Sequence, residues 1–254
     1  MIKLATICNP PYRNVCSPSQ NHLLGALPVS IYERLFPYLE LVTMHTGDVL
    51  YEAGGEFHYA FFPVTCIVSK FNVMECGATT EVALIGNDGF VGVALLMGGA
   101  TINYRAIVRS EGFAYRLKRQ HFMQEFNRKP EGAEKLTFFN LMLRYAQLLI
   151  TQISQSAVCN RFHSTDQHLC KWLLQSLDLL ESNELTVTHE SIGHMLGVRR
   201  ESITEAARKL QSADLIDYKR GHITVLNRAG LEARVCECYQ VVKMESDRLM
   251  RMVG

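Results

Sequence analysis

The sequence has no apolar run approaching the ~18 residues that a membrane-spanning helix needs. Its start, Met1 to Cys8, runs straight into Asn9-Pro10-Pro11, an apolar stretch too short for the core of a secretory signal. Charge of one sign is also missing, because 26 Lys and Arg against 25 Asp and Glu leave a formal net charge of +1. Global electrostatics therefore give no argument for nucleic acid, and any DNA-binding face must be built locally. Tandem repeats and low-complexity tracts are absent. So are a Walker loop, a nucleophile elbow and a His-Glu-x-x-His motif. Glu201 and Glu205 share one predicted helix face and are better explained as outward-facing than as an acid–base pair. The expectation is a cytoplasmic protein that is not an enzyme, with no catalytic residues.

A closely spaced run of three cysteines is lacking too. The eight cysteines (Cys8, Cys16, Cys66, Cys76, Cys159, Cys170, Cys236 and Cys238) are scattered along a chain too long to need stapling. With no secretory signal they are expected as reduced thiols. Cys236 and Cys238 fall in a predicted helix, where positions i and i+2 point to different sides. Cys159 and His163 are four apart, with His168 and Cys170 following; the two readings are a site and a kink between helices, of which the kink is the expectation. His189 and His194 are expected as solvated side chains. The expectation is no metal and no cofactor; a redox-active thiol stays open, since reactivity depends on local pKa.

What is present begins with size. The chain has 254 residues, 48% of them hydrophobic, which at roughly 100–200 residues per domain suggests one large or two small domains. Residues 1–20 hold three prolines and no period, as a loose arm would. A short helix is expected next, from Leu23, Leu24, Leu27, Ile31, Leu35 and Leu39 at helical spacing. From about 41 to 118, β-rich runs alternate with Gly, Asn and Asp: 41–44, 49–51, 59–62, 67–73, 81–85, 106–108 and 113–117. Short strands at regular intervals predict a barrel or jelly roll.

A helix is expected from about Pro130 to Ala157. Leu136, Phe139, Leu143, Ala146, Ile150, Ile153 and Ala157 are spaced 3-4-3-4-3-4, the seam of a coiled coil. A second stripe, Phe138, Leu141, Met142, Tyr145, Leu148 and Leu149, lies on other faces. Two apolar surfaces on one helix suggest that one packs on its own β-domain and the other on a partner's helix. Burial within one subunit is the alternative.

Further helices are predicted from Ser164 to Leu180 and from about Ala229 to Met250, the latter carrying Leu231, Val235, Val242 and Leu249. Between them lies the most informative stretch. Thr188 is an N-cap candidate, and Ile192 and Leu196 share a face. Gly193 is small where a second helix must approach, and Gly197 suits a tight turn. Val198, Ile203, Ala206 and Leu210 then form the inward face of the second helix. That spacing packs two helices across a short turn. The outward face carries Arg199, Arg200, Glu201, Thr204, Glu205 and Arg208. Arg bonds guanine bidentately and Glu accepts from cytosine, so this face is expected to read bases. Residues 215–219 and 222–226, joined at Arg220-Gly221, predict a wing with Lys219 and Arg220 placed for phosphates. Residues 186–228 hold seven basic and five acidic side chains, so pattern carries this reading more than charge.

The order of β-domain, long helix and winged helix-turn-helix resembles the Crp/Fnr family of bacterial regulators. Gly197-Val-Arg-Arg-Glu-Ser-Ile203 looks like that family's Gly-x-x-Arg-Glu-(Thr/Ser)-Val. The resemblance covers roughly residues 22 to 227. It implies that Arg200 and Glu201 read bases, and that Glu205 replaces a common later arginine, which alters the operator. It also implies a cyclic-nucleotide-binding-like cassette, in which a Glu holds ribose and an Arg neutralises the cyclic phosphate. Here Gly92 keeps the cassette's glycine, but Val93 stands at the Glu position, Ala94 at the Leu and Tyr104 at the Arg. Arg105 is one residue away, which in a strand points it to the other face. Tight cyclic AMP binding is not expected. Some family members sense oxygen through closely spaced N-terminal cysteines; Cys8 and Cys16 alone do not supply that cluster.

The expected fold class is α+β: a jelly-roll-like β-roll domain, a long dimerisation helix and a C-terminal winged helix-turn-helix domain. The boundaries are 1–20 for the arm, 21–128 for the sensor, 129–158 for the dimer helix and 159–254 for the DNA-binding domain with its extra helix. The expected function is a homodimeric, sequence-specific transcriptional regulator reading a pseudo-palindrome. Its partners would be double-stranded DNA, a second copy and an unknown small-molecule effector, with RNA polymerase as a candidate and no membrane. The alternative is a sensor or scaffold that uses the winged domain for protein contacts.

Overall fold

The computed structural model describes residues 16–98, 102–129, 138–180 and 182–251, with nothing described of the side chains of 250 and 251. Contacts divide the chain into two compact units. One comprises Met1–Lys70, Ile85–Ile150 and Glu245–Gly254, and the other Phe71–Leu84 and Thr151–Met244.

The first unit opens on a 3-10 turn, Pro18–Gln20. These residues were expected in a loose arm, but Cys16 is buried and its carbonyl accepts from the Tyr115 hydroxyl at 2.6 Å. Asn21 caps α1 (His22–Gly25), and its amide donates to the carbonyls of Pro63 and Gly89, both at 2.8 Å. The single helix expected over Leu23–Leu39 is broken. α2 (Val29–Leu35) follows Pro28 at its N-cap, and Pro37 sits in a 3-10 turn, Phe36–Tyr38. Proline has no amide to donate to a helix interior, so it divides the element. The six apolar positions are nonetheless all buried, because the core and not the helix period selects them.

Seven strands follow along the chain, all in the first unit except most of β5 and the end of β4: β1 (Glu40–Met44), β2 (Val49–Tyr51), β3 (Tyr59–Pro63), β4 (Ile67–Val73), β5 (Thr79–Ile85), β6 (Arg105–Ser110) and β7 (Gly112–Lys118). They form two sheets, ordered β1-β7-β3 and β2-β6-β4-β5. In the first sheet Glu40 pairs across to Arg116, and their side chains form an ion pair at 2.8 Å. A short helix, α3 (Arg119–Phe126), follows β7 and was not anticipated.

α4 spans Phe138–Phe162. Its Phe138, Leu141, Met142, Tyr145, Leu148 and Leu149 are buried. Tyr145 meets Phe90 at 5.1 Å, and Phe90 in turn meets Phe62 and Phe122, each at 5.5 Å. This aromatic cluster forms part of the unit's core.

In the second unit, α5 (Thr165–Asp178) starts with a reciprocal capping box between Ser164 and Gln167. A strand not anticipated, β8 (Glu184–Thr186), precedes α6 (His189–Leu196) and α7 (Arg200–Ser212). The hairpin β9 (Ile216–Lys219) and β10 (His222–Val225) joins β8 in a sheet ordered β8-β10-β9. The core is shared by Trp172 and Leu173 of α5, Ile192 of α6, Ile203 and Leu210 of α7, and Ile223 of β10.

The last helix departs from expectation. Instead of one helix over 229–250 there are two, α8 (Arg228–Glu232) and α9 (Cys238–Arg251). Leu231, Cys236, Cys238, Tyr239 and Val242 are all buried. Positions 236 and 238 cannot both face inward from one helix, and the non-helical link between α8 and α9 lets them do so. Arg228 fixes this segment to α5: its guanidinium bonds Asp178, Glu232 (2.9 Å) and the Tyr239 hydroxyl (2.8 Å), which itself donates to Asp178 at 2.8 Å. No described helix is long and apolar enough to cross a membrane.

Candidate DNA-binding face and ligand cassette

The face is built from two helices held at a tight turn. Thr188 caps α6, its hydroxyl accepting from Ser191 N at 3.1 Å. α6 ends at Gly197, which adopts a left-handed φ of 66° that glycine tolerates without a Cβ clash. A Cβ on Gly193 would lie 2.9 Å from the carbonyl oxygen of Val198, so only glycine lets the turn close this tightly. Arg199 stands at the N-cap of α7 without a side-chain cap bond. The first amides of α7 therefore carry the positive end of the helix dipole uncapped.

Arg199, Arg200, Glu201, Glu205 and Arg208 are exposed, and Thr204 is half-buried. Arg200, Thr204 and Arg208 line an open groove that Thr188 and His189 border from α6, and Tyr218 and Arg220 from the wing. Three arginines thus converge on one concavity. Glu205 pairs with Lys209 at 3.2 Å, and Lys209 also reaches Asp166 at 3.3 Å. At the wing, Lys219 pairs with Asp217 at 2.7 Å, and Arg220 occupies the turn with φ 50°.

Sequence reasoning missed the buttress behind this groove. His189, expected in solvent, is half-buried and stacks on Tyr218 with ring centroids 4.0 Å apart. Its Nδ1 lies 3.1 Å from the Thr204 hydroxyl, which is 3.0 Å from the Arg200 carbonyl. Since that hydroxyl donates to the carbonyl, it accepts from the ring, which fixes the Nδ1–H tautomer. Burial, and secondarily Arg200, holds the His189 pKa below its usual value. One side chain thus joins α6, α7 and β9. The only local signal was a histidine at the first position of a helix, too weak to find it.

The cassette residues lie in the first unit. Gly92 precedes a 3-10 turn, Val93–Met97. Val93 is buried and Ala94 half-buried. Tyr104 is buried among Phe57 and Tyr51, with Phe57 6.4 Å from Tyr104 and 4.6 Å from Tyr51. Arg105, at the start of β6, pairs with Glu52 at 3.0 Å. The cation at Tyr104 is instead Lys70 of β4, whose Nζ sits 3.8 Å over the ring. Burial brings the Lys70 pKa down to about 8. No acid stands where ribose would be held, and the arginine is engaged elsewhere, so these residues do not fit a cyclic nucleotide in the family's manner.

The seam residues of α4 divide by exposure. Phe139, Leu143 and Ile150 are 41, 44 and 51% exposed, whereas Ala146 is buried and Ile153 half-buried. Leu136 lies outside the described residues. Outside both sites, Cys159, His163, Cys236 and Cys238 come together, although sequence reasoning kept them apart by placing the last two in one helix.

Comparison with known proteins matches this layout. A cyclic nucleotide-binding domain model matches residues 41–129, and a Crp-like helix-turn-helix domain model matches residues 167–234. Among curated proteins, none matches significantly. Similar solved structures include a transcriptional regulator of the Crp/Fnr family from Eubacterium rectale, at 16% identity and TM-score 0.64, covering 83% of this chain and 96% of that one. FixK2 from Bradyrhizobium japonicum is similar at 13% identity and TM-score 0.65, over 78% and 98% of the two chains. The c-di-GMP-responsive global regulator CLP of Xanthomonas campestris aligns at 15% identity and TM-score 0.58, over 78% and 99%.

Proposed function

Because this chain belongs to the Crp/Fnr family of transcription regulators, we propose that it works as a cytoplasmic homodimer that reads a pseudo-palindromic operator through α7. The observation that carries this reading is the groove in which Arg200 and Arg208 of α7 and Arg220 of the wing converge. Arg200, with Arg199 and Glu201 beside it, reads base edges from the first turn of α7, where recognition helices enter the major groove. The uncapped amides of that turn suit a phosphate. Lys219 and Arg220 contact phosphates from the wing. Glu205, held by Lys209, meets the operator where an arginine is common in the family, and accepts from cytosine.

Dimerisation rests on the exposed seam of Phe139, Leu143 and Ile150, since solvent-facing apolar side chains repeated along one helix call for a partner surface. A two-fold dimer presents two copies of α7 to half-sites about one helical turn apart. The effector differs from cyclic AMP, given Val93, Tyr104 and the Arg105–Glu52 pair. The protein acts by binding and not by catalysis.

Affinity capture of fragmented genomic DNA by the full chain tests the proposal. The expected result is a limited set of enriched fragments, lost when Arg200→Ala and Glu201→Ala are combined. Uniform recovery, or enrichment unchanged in the double variant, contradicts it.

A further inference from the structure

Four side chains from two distant parts of the sequence meet in the second unit. Cys159 and His163 lie one turn apart at the end of α4, where i and i+4 share a face. Cys236 comes from the link between α8 and α9, and Cys238 opens α9. The Cys159 and Cys236 sulfurs are 3.5 Å apart, and Cys238 Sγ is 3.6 Å from His163 Nδ1. All four donor atoms lie within 4.8 Å of one another, and the three cysteines are buried.

We propose that Cys159, His163, Cys236 and Cys238 bind one zinc ion in a closed tetrahedral Cys3His site that fastens the α8–α9 link to the last turn of α4. Metal–sulfur bonds of about 2.3 Å place neighbouring tetrahedral vertices about 3.8 Å apart, close to the sulfur–sulfur and sulfur–nitrogen spacings here. Soft thiolates with an imidazole select zinc over magnesium or calcium, whose preferred donors are oxygens. Four protein ligands leave no open position, which makes the site structural rather than catalytic. The donors crowd around a single point, so they suit one ion and not a four-iron cube, whose corners would hold the sulfurs farther apart.

Two neighbours support the assignment independently. His163 Nε2 lies 3.4 Å from the Glu237 carboxylate. That contact keeps the proton on Nε2 and turns the Nδ1 lone pair toward the sulfurs, the outer-shell arrangement of zinc-bound histidines. Lys171 is buried, and its ammonium lies 3.6 Å from Cys159 Sγ. A buried cation needs a counter-charge. Three thiolates and a neutral imidazole around Zn2+ carry one net negative charge, which matches it. A disulfide between Cys159 and Cys236 would account for two of the four groups and leave the inward-facing His163 and Cys238 without a role.

The test uses the full chain purified under reducing conditions without chelator. Elemental analysis is expected to find about one zinc per chain. After zinc removal, Co2+ titration should give visible bands of tetrahedral cobalt and thiolate-to-cobalt charge transfer, saturating at one equivalent and bleached by added Zn2+. Cys236→Ser and His163→Ala should lose stoichiometric zinc. Should either variant fail to fold, the exposed Glu237 provides a milder probe: Glu237→Gln should weaken zinc by about 10-fold. Sub-stoichiometric zinc with no tetrahedral cobalt spectrum overturns the proposal. So do iron as the sole bound metal, a Cys159–Cys236 disulfide in the reduced preparation, or zinc content and cobalt spectra unchanged in the ligand variants.

Discussion

His189 stacks face to face on Tyr218, 4.0 Å between ring centroids, while its Nδ1 bonds Thr204 on α7. The wing is therefore held against both helices of the motif by one imidazole. Burial favours the neutral ring, so the folded-state pKa lies below the unfolded value of 6.5. Above pH 6.5 the ring is neutral in both states and contributes no pH dependence. As pH falls through 6.5 the unfolded chain takes up the proton first, and stability drops until the folded pKa is reached. Urea unfolding of wild type and His189→Phe should diverge in this window, with wild type losing more stability toward acid. Parallel curves would remove His189 from the account.

Arg200 and Lys219 should fail in different ways. Arg200→Ala should cost about 1–3 kcal/mol on a preferred site and relax selectivity at one base position. Lys219→Ala should weaken binding about equally on all sequences and lower the salt slope by about 1. Binding isotherms on matched and mutated duplexes over a salt series separate the two, and identical behaviour of the variants contradicts the assignment.

The motif was legible because its determinants are local. Thr188, Gly193 and Gly197 each act within a few residues, and Gly193 met the close approach its size suggested. The seven strands were legible from the Gly, Asn, Asp or Pro between their runs. What was hidden depends on contacts between distant residues. Tyr218 meets His189 from 29 positions away, and Cys236 meets Cys159 from 77 away. The division of the last helix was hidden for another reason. Leu231, Val235, Val242 and Leu249 keep a helical rhythm across the break, and no proline or glycine marks the link between α8 and α9.

The exposed seam gives a separate expectation. Leu143→Glu and Ile150→Glu place charges where two apolar helices would meet. Sedimentation should show a dimer for wild type and a monomer for the double variant, with operator affinity reduced at least about 10-fold as the second half-site contact is lost. A monomeric wild type, or a variant that remains dimeric, contradicts the dimer.

Lys70 over Tyr104 is a half-buried cation with a π-face below it. Its folded pKa near 8, against 10.5 unfolded, means that folding at neutral pH opposes its charged form. Lys70→Met should stabilise the protein by about 1–3 kcal/mol at pH 7. Wild-type stability should rise between pH 8 and 10.5, where the unfolded chain holds the proton longer, and the variant should lack that rise. Thermal melts across this range check it; a destabilised variant would show that the cation–π contact outweighs the burial.

The most direct test of the central claim is selection of duplexes from a random pool by the full chain at physiological salt. A single enriched motif with two-fold symmetry is expected, its half-sites about one helical turn apart. That motif should be lost when Arg199, Arg200 and Glu201 are all replaced by alanine. No enriched sequence even at low salt, or the same motif from the triple variant, would contradict it.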